Sequence, residues 1–149
     1  MSRRDSGNAV IEFIFVAVLI LVPIVYFVTA VASVQRSNVG VSQAAREAGR
    51  AFATGESTTD AVARARAAVR LALADEGLPD DAELRFVPAD ADCRSGPVAP
   101  MLSPGAEFAV CVIRRAVLPG VPTLLAGHGI TTIGRYLVHV DDFRTVQAP

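Results

Sequence analysis

The stretch FIFVAVLILVPIVYFVTAVASVQ, Phe13 to Gln35, contains no charged residue, and its reading decides the rest of the chain. As an α-helix rising ~1.5 Å per residue it is about 35 Å long, enough to cross a hydrocarbon core of ~30 Å. Pro23 falls in mid-run, where a transmembrane helix tolerates the lost hydrogen bond better than a soluble one does. Arg3 and Arg4 precede the run. With the α-amino group they favour a cytoplasmic N-terminus, which places everything after the run outside the cytoplasm. Two other readings fit the same stretch. Ala30-Val31-Ala32 before Ser33 has the small-x-small form of a signal-peptidase site, although signal h-regions of about 7–15 residues are much shorter. The other is a buried core helix, which rarely needs so long a stretch without a charge.

Composition agrees that part of the chain is not meant for water. The 149 residues are 52% hydrophobic and 19% charged, below the ~25% charged typical of soluble domains. Mean hydropathy is +0.42. Such apolar content argues against disorder. A net charge of −1 with no long basic run argues against a nucleic-acid partner.

One acid, Glu12, opens the apolar run. A carboxylate on the flank of a membrane span is costly and by default marks a functional contact. Five residues earlier stands Gly7, in Gly7-Asn8-Ala9-Val10-Ile11-Glu12-Phe13. Cleavage after Gly7 would remove both arginines and create a new α-amino group on Asn8. Glu12, one helical turn along, would offset that charge within the chain or on a neighbour, and low dielectric strengthens such a pair. A glutamate also suits a helix N-terminus for the macrodipole alone, so an ordinary anchor helix would carry the same acid.

Taken together, the short basic leader, the glycine, Glu12-Phe13 and the immediate apolar helix resemble the processing site of type IV pilin-like proteins. They look most like the TadE-type pseudopilins of tight-adherence (Flp-type) pilus systems. The resemblance implies a structural, non-enzymatic role in assembling a thin adhesive pilus. It implies a prepilin peptidase acting at Gly7–Asn8 and an assembly role for Glu12 and Phe13. It also implies contacts with other pseudopilins and the inner-membrane assembly platform, and no cofactor. Asn8 stands where true type IV pilins commonly carry an aromatic residue, which fits a pseudopilin better than a major fibre subunit. Leu118–Leu125 and Val140–Arg144 look like TadE-type proteins of actinobacteria as well. A secreted or anchored binding domain with no pilus role is the alternative.

The expected fold is α+β: a basic leader (1–7), a transmembrane helix (8–35), a helical extension with a second helix (36–77), and a small antiparallel β-rich extracytoplasmic part (78–149). Val41, Ala44, Ala45, Ala48 and Phe52 fall on a 3–4 spacing, with Arg46, Glu47 and Arg50 to the other side. The Ala-rich run from Ala44 to Ala51 permits close approach of a second helix. Gly55 breaks this helix, and Ser57 with Asp60 forms an acidic variant of the capping box. Val62, Ala65, Val69 and Leu73 make the stripe of the second helix, which Gly77 and Pro79 stop. Strands are expected over Glu83–Val87, Ala106–Leu118 and Ile130–Val140, with Gly134 as a bulge.

Cys93 and Cys111 form a pair that is expected to be oxidised outside the cytoplasm. Two unpaired buried thiols are the alternative, because sequence does not set their Cα separation. Catalysis leaves no trace. His128 and His139 lack metal-ligand spacing, and Ser95 and Ser103 stand in no nucleophile motif. His139 and Asp141 would share a strand face, a common i, i+2 arrangement. No catalytic, cofactor or metal residue is assigned.

Overall fold

The computed structural model describes residues 5–117 and 129–144, with side chains from residue 9 onward. Arg3, Arg4, His128 and the apolar connection 118–125 lie outside the described residues. The order of elements is α1 (Asp5–Ala53), α2 (Thr58–Asp75), β1 (Glu83–Pro88), β2 (Glu107–Ala116) and β3 (Ile130–His139). A long apolar helix followed by a small three-stranded antiparallel sheet is an α+β arrangement.

Helix α1 is one unbroken helix of 49 residues that runs through Pro23. The anchor and the extension expected from sequence are therefore two halves of a single rod. They differ in what they touch. Every side chain from Ala9 to Thr29 is exposed, and this half is long and apolar enough to cross a membrane. In the second half, Val41, Ala44, Ala45, Ala48 and Phe52 are all fully buried. Their 3–4 spacing gives one apolar stripe.

Helix α2 packs back along that stripe. Ser57 caps it, its Oγ accepting the Asp60 N–H at 3.2 Å. The Asp60 carboxylate reaches the Glu56 N–H at 3.0 Å, one residue short of a true capping box. At the far end the Leu78 N–H donates to the Leu73 carbonyl and the Gly77 N–H to the Ala74 carbonyl. Gly77 has φ +65°, the left-handed residue such a Schellman stop requires.

The sheet order is β1-β2-β3. Residues of even number face the helices: Phe86, Phe108, Val110, Val112 and Val138 share one core with Val41, Phe52, Val69 and Leu73. Phe52, Phe86 and Phe108 meet at its centre, with ring centroids 5.0 to 5.9 Å apart. On the other face Val87, Ala109 and Cys111 form a smaller cluster with Cys93. Cys93 and Cys111 are joined in a disulfide, Cα atoms 5.6 Å apart. Residues 36–77 and the sheet thus make one packing unit.

Gly134 is not a bulge. The β2–β3 register runs without interruption from Glu107↔His139 to Ala116↔Ile130, and Gly134 pairs with Val112. A Cβ there would strike the backbone of Val41 and Ser42. The glycine is present because α1 lies directly on the strand at this point.

Candidate processing and assembly site

Gly7 and Asn8 lie in the first turn of α1, which begins at Asp5. The N–H groups of that turn have no partner within the helix, so it is the part of α1 that opens most readily to expose a peptide bond. Asn8 and Glu12 are one turn apart on the same helix, the i, i+4 spacing at which two groups become neighbours. Glu12 is exposed and Phe13 is 73% exposed. Among the described residues no cation lies within ion-pair distance of Glu12. Gly7, Asn8, Glu12 and Phe13 form one group at the helix start. The cysteines belong to the folded head, and about 37 Å of helix separates Glu12 from Ser37, where the head begins.

Where α1 meets the head, its first fully buried side chain is polar. Ser37 Oγ shares a hydrogen bond of 2.8 Å with Thr132 Oγ1 and accepts from Arg114 Nη1 at 3.1 Å. Arg114 is forked onto Asp81, donating from Nε to Oδ1 at 2.6 Å and from Nη2 to Oδ2 at 3.2 Å. Thr132 Oγ1 in turn donates to the Arg114 carbonyl at 3.1 Å. A buried guanidinium is tolerated only when its donors are satisfied, and here Ser37 of α1 and Asp81 of the α2–β1 connection accept them, while Thr132 of β3 ties Ser37 to the Arg114 backbone on β2. The result is a latch that fixes the rotation and height of α1 against the sheet. Sequence reasoning missed it, although one signal was present. Arg114 falls on the same strand face as Phe108, Val110 and Val112.

A second anchor lies at the opposite end. The Arg144 guanidinium donates to the carbonyls of Ala53 and Gly55, satisfying the end of α1. This gives the Val140–Arg144 segment a structural task, with Val140 buried and paired to Ala106. Nearby, His139 Nδ1 is 3.1 Å from Glu107 Oε1, and Nε2 is 3.5 Å from Asp142 Oδ2. The hydrogen bond to Glu107, helped by Asp142, raises its pKa above the ordinary 6.5. Asp141 is not its partner. That carboxylate accepts the Phe143 N–H at 2.9 Å. Among the described residues no group of three or more His, Cys, Asp or Glu side chains is placed to hold a metal ion. Comparison with protein-family models, with curated proteins and with solved structures finds no match.

Proposed function

We propose that this chain is a membrane-anchored, pseudopilin-like protein that assists assembly of a thin, adhesive pilus of the Flp or type IV-like kind. The observation that carries the proposal is the combination at α1: Gly7 and Glu12 five residues apart, heading an exposed apolar helix that continues without a break into the core of a small head. Such a rod lets neighbouring copies or related subunits pack through their apolar halves while the heads stay outside. Glu12 would then serve as the charge that pairs with the amino terminus created at Asn8, and Phe13 as the first apolar contact after it. A prepilin peptidase, related pseudopilins and the assembly platform in the cytoplasmic membrane are the partners this role requires. The N-terminus is cytoplasmic and the head extracytoplasmic.

The alternative, a binding domain released by cleavage after Ala32, is less well supported. Ala32 and Ser33 lie in the middle of α1, with helix on both sides. N-terminal sequencing of the mature protein tests the two: Asn8 as first residue is expected, Ser33 marks the secreted domain, and Met1 or Ser2 a plain anchor. Gly7→Val, which places a side chain where close backbone approach is needed, should leave the full-length form to accumulate. Ala32→Arg should not alter processing. The reverse pattern overturns the proposal.

A further inference from the structure

We infer that the end of the sheet nearest the apolar half of α1, carrying Val117 and Ile130 and flanked by Arg36 and Arg115, rests in the lipid headgroup layer, making the bilayer surface an interaction partner of the head. The inference rests on the membrane-anchor part of the function proposed above. It is carried by a ruler built into the contacts between α1 and β3. Thr132 meets Ser37, Gly134 meets Val41, and Tyr136 with Val138 meets Gly49. Helix and strand therefore run in the same direction. One helical turn, ~5.4 Å, is matched to roughly two strand residues, ~6.6 Å. One step back from Ser37 and Thr132 gives Ser33 and Ile130. The structure shows that step directly: Ile130 pairs with Ala116, and Ser33 Oγ lies 3.4 Å from the carbonyl oxygen of Val117.

Ser33 belongs to the uncharged run, whose ~35 Å exceeds a ~30 Å hydrocarbon core by only a few residues. The strand ends tied to it therefore sit at the level of the headgroups. What they present there suits that layer. Val117 is 68% and Ile130 44% exposed. Arg36 and Arg115, both exposed, have long side chains that leave apolar stems low and carry the charge up to phosphate. The acids of this end are Asp75, Glu76 and Asp80 on the α2–β1 flank, with Asp81 and Glu83 next to them, and the last two are neutralised by ion pairs to Arg114 and Arg85. The head accordingly meets the lipid through its β2–β3 side.

The chain has no tryptophan, so a single introduced one reports its own depth. The full-length protein would be placed in phosphatidylcholine–phosphatidylglycerol nanodiscs whose acyl chains are brominated near the carbonyl. Four variants are compared: Val117→Trp, Ile130→Trp, Phe143→Trp at the far end of the head, and Phe15→Trp inside the apolar run. Val117→Trp and Ile130→Trp are expected to show blue-shifted emission and loss of intensity to bromine, and Phe143→Trp neither. If Phe15→Trp is quenched while Val117→Trp and Ile130→Trp behave like Phe143→Trp, the anchor stands and the lipid-seated head is overturned. If Phe15→Trp is not quenched, the anchor fails and the seating fails with it.

Discussion

At Gly134 the backbone of α1 lies directly on β3, and a methyl group there has nowhere to go except into the Val41 and Ser42 backbone. Overpacking against backbone costs typically about 1–3 kcal/mol. Gly134→Ala should therefore lower unfolding stability by about 2–3 kcal/mol, followed by circular dichroism in denaturant. Gly77→Ala meets no atom within 4 Å and bears only the strain of φ +65°, so it should cost about 1 kcal/mol. An equal loss from both would show that the helix–sheet contact at Gly134 is loose. His139 makes a prediction of a different kind. Its folded pKa is raised, so its pairing with Glu107 and Asp142 contributes fully below pH 6.5 and is lost as pH rises through the higher folded value. In an NMR titration the ring should lose its proton above pH 6.5, and Glu107→Gln should move that midpoint down. An unmoved midpoint would show that Glu107 is not the partner. At this scale sequence reading succeeded where a residue's role is set by its neighbours in the chain, as at Ser57, Asp60 and Gly77. It failed at Gly134, where a strand glycine is equally a bulge or a contact, and only the helix above it decides.

Among the elements, α1 was the most legible, because a charge-free run and a 3–4 stripe are both periodic signals. The anchor runs on into the extension, as the sequence led one to expect, because no proline stands between Gln35 and Val41 and Gly40 alone does not end the helix. The alternation of β2 was equally plain, with Phe108, Val110 and Val112 on the core face and Cys111 and Ile113 behind. The latch and the Arg144 clamp were not legible, since their partners lie 18 to 95 residues apart in the chain. No local pattern encodes such a meeting. The disulfide is the element-scale feature most open to test. It closes a loop across a sequence separation of 18 and pins the β1–β2 connection to the back of the sheet. Constraint of the unfolded chain by a loop of this size is worth roughly 3 kcal/mol. Cys93→Ala with Cys111→Ala should destabilise the head by about that amount, without changing the strand content. Alkylation of the exported protein should find no free thiol. Free thiols at both positions would remove the bridge and weaken the proposed orientation, with the head outside the cytoplasm.

For the whole molecule the question is what the rod and the head do together. Among the described residues the head grips the second half of α1, with a buried polar latch at Ser37 and a cap at Ala53. Among the described residues the first half, from Ala9 to Thr29, is exposed along its whole length. A membrane would cover that surface, and so would the apolar halves of neighbouring rods. Glu12 separates a plain anchor from an assembling subunit. Glu12→Gln keeps the volume and removes the charge, so on a solitary anchor it is neutral or mildly favourable to insertion. In an assembly it removes the partner of a neighbour's new amino terminus, in surroundings where charges attract strongly. Losing as little as about 1.4 kcal/mol at each such contact lowers association tenfold. Under the function proposed above, the variant should therefore be expressed, inserted and cleaved at Gly7–Asn8 like the parent, yet recover far less of its pseudopilin partners on co-purification and support few pili. Cleavage and assembly would part in one mutant, which neither a folding defect nor a failed leader can imitate. Normal piliation and normal partner recovery would reduce Glu12 to an acid at the start of a helix.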